Sequence, residues 1–432
     1  MCRRWRPVVM GGAKARSARK AVWALGLAAM LLVSALGQAS MAAPVTVTFW
    51  HALGGEHGTI LQGLVDEFNA SQDQVRVELA YQGGYSTLMQ KLMAAVAAGD
   101  PPTMAGSYNN WTTIFIDAGA IVPVERFVRD PEVGLSSEEL ADFFPAFLEA
   151  NTWDGVLYSL PFNKSVQILY YNKDLLDQAG VPVPSTMEEL ARAAQAVKEA
   201  TGVAGFAMRP DVDTFAAFLR AFGGRWLDDG GMPAFAGEAG VKALTFIRDL
   251  AAGGAAYAFD GWLDEEFNKV NTAMFIHSNS TIPWVQQGAT FAWGTAPVPA
   301  GVAAASTVAG QDLVIFARAT PEQQKAAWAF LKWLLSPEVN ARFSVGTGYL
   351  PVRRSALDLP VLKEHVATAP EQYGAGIASL DRLVFDPSIP AWNDMRGFIS
   401  EAVERVLLTG ADPRAALLDA AAKSERAIRE GF

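Results

Sequence analysis

Residues 45–102 alternate between strand patterns and helix patterns, and few folds accommodate that order. Apolar and polar residues alternate at 45–49 and again at 75–79, as expected for strands with one buried face. Apolar residues recur at helical spacing at 60–68 and at 88–96. Strand, helix, strand and helix in close succession predict an α/β fold with mostly parallel sheets flanked by helices.

Three loops follow the strand patterns of this region, at residues 51–58, 82–86 and 106–111. In open α/β sheets, ligands bind beyond the carboxyl ends of the strands, where loops and helix N-termini lie. We therefore expect a site for a small molecule at this edge of the sheet. The glycines of these loops fit ordinary turns equally well.

Residues 1–43 have the composition of a secretory signal peptide. They contain seven basic residues and no acidic ones, an apolar run at 21–36, and small residues up to Ala43. The sixteen residues of the run are few against the roughly 20 that a membrane-spanning helix needs. We expect export to the periplasm, with cleavage after Ala42 or Ala43.

The charge of the chain limits its partners. The formal net charge is −10, and removal of the leader, which carries +7, leaves −17. An acidic protein repels nucleic acid and anionic lipid, so we expect neither as a partner. The one cysteine, Cys2, lies in the leader, and the remaining chain can form no disulfide. With 51% apolar residues in the chain, the roughly 390 that remain suffice for two lobes of ordinary domain size.

The sequence shows none of the common patterns of catalytic and metal sites. Its histidines, His51, His57, His277 and His365, have no metal-ligand spacing, and neither a P-loop nor a nucleophile elbow occurs. We expect no cofactor, no metal and no enzymatic activity. A secreted hydrolase stays open as an alternative, because the two distant carboxylates of a glycosidase leave no sequence signature.

The segment 160–180, LPFNKSVQILYYNKDLLDQAG, combines features that a ligand cleft requires. Polar residues at 163–165 lead into an apolar and aromatic strand at 166–171, and a helix pattern then runs to Gly180. Polar groups at the mouth of a buried strand suit a cleft between two lobes. An ordinary strand, turn and helix of an α/β enzyme would have the same pattern.

The PFN…LYYNKD pattern of this segment resembles the family 1 extracellular solute-binding proteins, which are the ligand receptors of ABC importers. Shared stretches include FWHALGGEHG, GDPPT, GTGYLP and WNDMR, at residues 49–58, 99–103, 346–351 and 392–396, and the similarity covers nearly all of the mature chain. The resemblance implies a two-lobe periplasmic-binding-protein fold of type II, hinged by crossing strands around a cleft. It also implies ABC permease subunits of the inner membrane as partners, and a monomer.

The expected division of the chain follows from the same resemblance. Residues 1–43 form the signal peptide, 44–158 and 302–352 the first lobe, and 159–301 and 353–432 the second. The run of proline, glycine and small residues at 297–310 is expected to be the return crossing into the first lobe.

Within the family, the chain is most similar to the members that bind sn-glycerol 3-phosphate. Their ligand contacts map to seven positions of this sequence: Tyr85, Asn109, Ser165, Ser278, Gly310, Tyr349 and Arg396. The residue type is kept at six of them, whereas Asn109 replaces a glutamate. An amide accepts fewer hydrogen bonds than a carboxylate and can also donate, so the change affects the polyol end of the ligand more than the phosphate end.

These residue types suit glycerol 3-phosphate or a glycerophosphodiester. Arg396 offers a planar fork of donors that matches phosphate oxygens, and the hydroxyls with the main-chain N–H of Gly310 can complete the shell. The alternative ligand is a neutral sugar or oligosaccharide. Arg396 would then form a structural ion pair, and Trp111, Trp262 and Trp392 would stack on sugar rings.

Overall fold

The computed structural model of the protein describes residues 1–5, 7 and 43–430. Most of the predicted signal peptide, residues 6 and 8–42, lies outside the described residues. The chain divides into two compact units, Met1–Pro44 and Val45–Phe432, and every element below belongs to the second. Among the helices of residues 43–430, none combines the length and the apolar character that crossing a membrane requires.

The strands are β1 (Val45–His51), β2 (Val75–Tyr81), β3 (Met104–Ser107), β4 (Ile121–Val122), β5 (Thr152–Trp153), β6 (Val156–Leu157), β7 (Leu160–Pro161), β8 (Ser165–Asn172), β9 (Phe206–Met208), β10 (Ala256–Ala258), β11 (Met274–Ser278), β12 (Trp293–Pro297), β13 (Ser306–Ala309), β14 (Asp312–Phe316) and β15 (Leu383–Val384).

The α-helices are α1 (Gly55–Ser71), α2 (Tyr85–Ala98), α3 (Asn109–Asp117), α4 (Glu125–Val128), α5 (Ser137–Ala141), α6 (Pro145–Ala150), α7 (Lys173–Ala179), α8 (Met187–Thr201), α9 (Val212–Ala221), α10 (Glu238–Ala252), α11 (Leu263–Asn268), α12 (Ile282–Gly288), α13 (Pro321–Leu334), α14 (Pro337–Thr347), α15 (Pro360–Thr368), α16 (Pro370–Ile377), α17 (Trp392–Thr409) and α18 (Pro413–Glu430). Two short 3-10 turns, Asn279–Thr281 and Ser355–Asp358, complete the regular structure.

Local sequence signals explain where several elements begin and end. Asn172 closes β8, and its side chain accepts a hydrogen bond of 3.0 Å from the N–H of Leu175, which caps α7. Gly180 ends α7 in a left-handed conformation with φ of 67°. The strand, turn and helix predicted for this segment are therefore confirmed. The same is true of β1, α1, β2 and α2, which follow the predicted alternation.

The first of the two larger sheets has the strand order β2-β1-β3-β14-β4, and β7 also pairs with β14. Strand β1 runs parallel to β2 and β3, as a βαβ unit requires. Strand β14 runs antiparallel to β3, β4 and β7.

The second sheet has the order β10-β9-β11-β8-β13-β15, and β12 also pairs with β8. Strand β9 runs parallel to β10 and β11, whereas β8 runs antiparallel to β11, β12 and β13. Both sheets are mixed, because β8 and β14 each arrive from the other sheet and run against most of their neighbours. The predicted α/β class is present.

The chain passes from one sheet to the other at two points. Strand β7 is in the first sheet and β8 in the second, so residues 162–164 make the first crossing; β13 and β14 flank the return at residues 310–311. The first crossing lies beyond the predicted lobe limit at 158, and the return at 310–311 begins at the last residue of the run predicted to make it, 297–310. Leu160–Pro161 still pairs with β14, and Ser306–Ala309 still pairs with β8. As limits of rigid lobes, the predicted ranges stay a prediction.

Helices cover the sheets and bury an apolar core beside each. Near the first sheet, the ring of Phe330 lies against those of Phe49 and Phe68, with centroids 6.2 and 5.1 Å away. Near the second, Trp226 packs on Trp392 with centroids 5.0 Å apart.

Candidate functional site

Three phenol side chains meet beside the loops that we expected to face a ligand. Tyr85 begins α2 after β2, Tyr108 follows β3, and Tyr349 follows α14. The hydroxyl oxygens of Tyr85 and Tyr349 are 3.0 Å apart and share a hydrogen bond. The rings of Tyr85 and Tyr108 meet edge to face, with centroids 5.4 Å apart. We call these three residues the tyrosine cluster.

The phenols of the tyrosine cluster are neutral at physiological pH. Burial raises the pKa of Tyr85, of Tyr108 and of Tyr349 above the usual range. Each hydroxyl therefore keeps a proton, and each can donate one hydrogen bond as well as accept. A group of neutral hydroxyls of this kind suits the oxygens of a polar ligand.

Gly310 adds a main-chain donor to the tyrosine cluster. It lies in the return crossing with φ of +97°, and a Cβ there would lie 1.8 Å from the main-chain oxygen of Asn163. Only glycine fits such a position without displacing the neighbouring backbone. The N–H of Gly310 faces the phenol of Tyr108, where it opposes the rise in the pKa of that phenol.

Arg396, on α17, lies between two carboxylates. Its Nη2 donates to both oxygens of Asp213, at 2.9 and 2.8 Å, and its Nη1 donates to Oδ2 of Asp386 at 3.3 Å. Burial opposes the charged guanidinium, but the two carboxylates outweigh it and raise the pKa of Arg396. We call these three residues the arginine triad. Its fork of donors is already engaged, as the structural reading of Arg396 predicts.

The arginine triad is close to the tyrosine cluster through Tyr108. The guanidinium of Arg396 lowers the pKa of the Tyr108 phenol and Asp213 raises it, although both effects are smaller than that of burial. Some 32% of the Arg396 side chain and 57% of that of Asp213 are exposed. A ligand at the tyrosine cluster would therefore have solvent-accessible charged groups beside it.

The two predicted serines lie in the second sheet. Ser278 ends β11, and its Oγ is 2.8 Å from Oγ of Ser280, whose own hydroxyl faces the phenol of Tyr349. Ser278 also accepts a hydrogen bond of 3.2 Å from the N–H of Ser280, so it caps the 3-10 turn that follows. Ser165 opens β8, is buried, and pairs with Ala309 directly before the return crossing.

Asn109 is engaged by the protein itself. Its amide Nδ2 donates a hydrogen bond of 2.6 Å to the main-chain oxygen of Ala150. The amide oxygen and the second N–H of Nδ2 form no hydrogen bond with the described residues, so Asn109 can still accept from or donate to a ligand. Six of the seven predicted residues thus lie at or beside one cluster, and Asn109 neighbours it next to Tyr108. As ligand contacts, all seven stay predictions.

A cavity of about 410 Å³ lies beside Gly348, the residue before Tyr349. Its polar lining includes Glu56, Gln286, His365 and Tyr373, and Gly348 forms part of its wall. None of the seven predicted residues lines it. Glu56 is the one acidic group of the lining, and no lysine or arginine balances it.

The tryptophans considered for sugar stacking divide into core and surface. Trp111 and Trp392 are 4% and 2% exposed, and Trp111 packs on Tyr108 with centroids 4.9 Å apart. Trp262 is 66% exposed. The edge of Trp111 therefore supports the tyrosine cluster, and Trp392 is a core residue.

Four residues at or beside the tyrosine cluster and Arg396 were not among the predicted site residues. Tyr108 and Asn163 lay within a loop and a motif that sequence reasoning did single out, so their positions could have been found. Asp213 gave no signal because it lies 183 positions from Arg396, and Asp386, ten positions away, precedes α17 without a pattern that links it to Arg396. Within the described part of the chain, no group of histidine, cysteine, aspartate and glutamate side chains could hold a metal ion.

Known proteins resemble the chain over most of its length. The sequence model of the bacterial extracellular solute-binding proteins matches residues 63–370. The sn-glycerol-3-phosphate-binding periplasmic protein UgpB of Yersinia pestis bv. Antiqua (strain Antiqua) is 24% identical over 418 residues, which cover 90% of this chain and 94% of UgpB. The predicted similarity to glycerol-3-phosphate binders is thus confirmed.

Two solved structures show the same fold. The GacH receptor of Streptomyces glaucescens GLA.O, known unliganded and in complex with acarbose, superposes with a TM-score of 0.80 at 25% identity, covering 90% of this chain and 100% of GacH. UgpB from Mycobacterium tuberculosis in complex with glycerophosphocholine gives 0.79 at 23% identity, covering 90% and 99%. These likenesses confirm the two-lobe fold of the periplasmic binding proteins.

The relatives are binding proteins, so the alternative of a secreted hydrolase is rejected. The match over residues 63–370 spans more than half of the sequence. The chain belongs to the bacterial extracellular solute-binding protein family, the non-enzymatic substrate-binding components of ABC importers.

Proposed function

We propose that the chain is a periplasmic receptor that binds a glycerophosphodiester or glycerol 3-phosphate at the tyrosine cluster and the arginine triad. The leader directs export and is cleaved near Ala43. The mature monomer closes its two lobes, residues 44–158 with 302–352 and 159–301 with 353–432, around the ligand. It then delivers the ligand to the ABC permease of the inner membrane.

The observation that carries this proposal is the meeting of distant residues around Tyr108. The ring of Tyr85 contacts that of Tyr108, and Gly310 and Arg396, which are far away in sequence, are near enough to lower the pKa of this phenol. The cluster presents several neutral hydroxyls, one main-chain N–H and one guanidinium. A ligand with both hydroxyl and phosphate oxygens could use all three kinds of group.

The charges of the arginine triad favour a phosphodiester over a phosphomonoester. One guanidinium faces two carboxylates, so the triad brings at most one net negative charge to the site. A phosphomonoester carries a charge of about −1.5 to −2 at pH 7 and is repelled more strongly than a singly charged diester. We therefore rank a glycerophosphodiester first and glycerol 3-phosphate second.

A neutral sugar is the second candidate, and the same carboxylates favour it. Asp213 and Asp386 can each accept hydrogen bonds from ligand hydroxyls, and a neutral ligand avoids charge repulsion altogether. The similar fold of GacH, which was solved with acarbose, fits this candidate. The burial of Trp111 and Trp392 weighs against it, because neither can present its ring face to a sugar.

Isothermal titration calorimetry with the leaderless chain tests the proposal. The panel is glycerophosphocholine, sn-glycerol 3-phosphate and maltose. We expect the diester to bind most tightly, and Arg396→Ala to weaken it by about 2–5 kcal/mol, because a charge-assisted contact is lost. Arg414→Ala is the matched control, since Arg414 pairs with Glu238 on an exposed surface and should leave binding unchanged.

Binding of maltose without either phosphate would establish the sugar receptor instead. Unchanged diester affinity in Arg396→Ala would remove Arg396 from the binding site. Urea unfolding of both variants without ligand separates these results from a loss of folding.

A further inference from the structure

Asn163 is a buried amide at the first crossing between the sheets. Its side chain is 0% exposed, and it belongs to neither β7 nor β8. The seven residues predicted to contact ligand do not include it. A polar group buried this completely is normally hydrogen-bonded, because an unmet donor costs free energy.

The orientation of the Asn163 amide is fixed by the return crossing. Its Oδ1 accepts a hydrogen bond of 3.2 Å from the N–H of Gln311. Its main-chain oxygen lies against Gly310, where a Cβ would come within 1.8 Å. With Oδ1 held in this way, Nδ2 must point to the opposite side.

Nδ2 of Asn163 forms no hydrogen bond with any residue that the structure describes. The main chain places Asn163 beside the tyrosine cluster, because the N–H of Leu350, the residue after Tyr349, donates a hydrogen bond of 2.7 Å to the oxygen of Lys164. The side chain of Asn163 also opposes the rise in the pKa values of Tyr85 and Tyr349. Those two hydroxyls already share one hydrogen bond, in which only one of them is the donor. The amide N–H of Asn163 and the two phenol hydroxyls therefore face the same small region.

We propose that Asn163 is a ligand-binding residue, whose fixed amide donates to an acceptor-only oxygen of the ligand, such as a non-bridging phosphodiester oxygen. This assignment rests on the proposed function and deepens it, because it names a residue that selects for the phosphate. Uncharged donors such as this amide N–H are suited to binding a phosphate oxygen. They satisfy an anionic oxygen without adding a buried cation to a site that already holds Arg396.

The substitution Asn163→Asp tests the assignment. It keeps the size of the side chain and the acceptor for the Gln311 N–H, but it replaces the donor with a carboxyl group that repels phosphate. We expect glycerophosphocholine to bind about 10- to 100-fold more weakly, the loss typical of a hydrogen bond to a charged group. Maltose, whose hydroxyls can donate to the new carboxylate, should lose no affinity.

Asn340→Asp is the matched control. Asn340 is 1% exposed, its Oδ1 accepts a hydrogen bond of 2.8 Å from the N–H of Val352, and its Nδ2 forms none with the described residues. It belongs to α14 and not to the tyrosine cluster. If buried amides matter only for folding, both variants should lose stability and neither should change affinity for the diester.

The outcomes separate this inference from the proposed function. Diester binding by the wild type together with unchanged binding by Asn163→Asp overturns the role of Asn163 and leaves the proposed function in place. A wild-type protein that binds no phosphate of the panel overturns both. Should Asn163→Asp not fold, Asn163→Ala is measured in its place, with the same expected loss for the diester.

Discussion

The guanidinium of Arg396 illustrates how neighbours change what a charged side chain can do. Alone, it would attract any phosphate; between Asp213 and Asp386 it acts as part of a triad with excess negative charge. Burial raises the pKa of Asp386, and Arg396 opposes that rise. From its residue type alone, Arg396 was predicted to contact phosphate. The summed charge of the arginine triad instead favours a singly charged or neutral ligand.

His57 links the pH dependence of stability to the site. Its ring lies 5.1 Å from that of Tyr349 between centroids, and burial lowers its pKa from 6.5 to about 4. The unfolded chain thus binds an extra proton between about pH 6.5 and 4. As the pH falls through this window, His57 should reduce the free energy of unfolding by up to about 1.4 kcal/mol per pH unit.

Urea unfolding of the wild type and of His57→Gln at pH 7, 6, 5 and 4 measures this contribution. The variant should show a shallower loss of stability below pH 6.5, because it cannot take up the proton. Equal slopes would show that His57 is not buried as a neutral imidazole. His51, whose pKa burial also lowers to about 4, gives a second position for the same comparison.

The positions of the helices and strands discussed above could be predicted from local sequence patterns, but the pairing of the strands could not. The cap at Asn172 and the end of α7 at Gly180 depend on neighbouring residues, which the sequence displays directly. The antiparallel pairing of β14 with β3 depends on residues some 200 positions apart. Periodicity contains no information on such contacts, and so it could not show which strands pass from one sheet to the other.

The backbone conformation of the return crossing requires a glycine at position 310. In Gly310→Ala, the left-handed backbone alone costs about 1–2 kcal/mol, and the new Cβ would also collide with the backbone of Asn163. We expect a loss of stability larger than that of Gly180→Ala. Gly180 has φ of +67° with nothing within 4 Å of its Cβ position, so it bears the backbone cost alone.

Urea unfolding of the two alanine variants gives the difference directly. Gly310→Ala should also weaken ligand binding, since it displaces the N–H that faces Tyr108. Equal losses in the two variants, with binding unchanged, would show that the crossing adjusts freely at residue 310.

The two crossings are tied together by a buried ion pair. Nζ of Lys164 lies 2.7 Å from Oδ1 of Asp312, and the two side chains are 1% and 0% exposed. Asn151 donates a further hydrogen bond of 2.7 Å to the same oxygen. Losing either partner of a fully buried pair leaves an uncompensated charge, which destabilises strongly. The ion pair therefore holds the first crossing next to the return crossing, beside the candidate site.

The family and its fold were accessible from the sequence because the shared stretches extend over the whole chain, from residues 49–58 to 392–396. The ligand was less accessible, because relatives of the same fold bind chemically different molecules. The choice among them depends on a few charges, such as those of Asp213 and Asp386, and on which donors stay free. Those features exist only once the chain has folded.

A crystal structure of the leaderless chain with the tightest-binding panel ligand tests the account most directly. We predict that the ligand lies against Tyr85, Tyr349 and Arg396, with hydrogen bonds of about 2.7–3.2 Å to these groups. Ligand found instead in the cavity beside Glu56 and His365, with the tyrosine cluster and the arginine triad untouched, would contradict it.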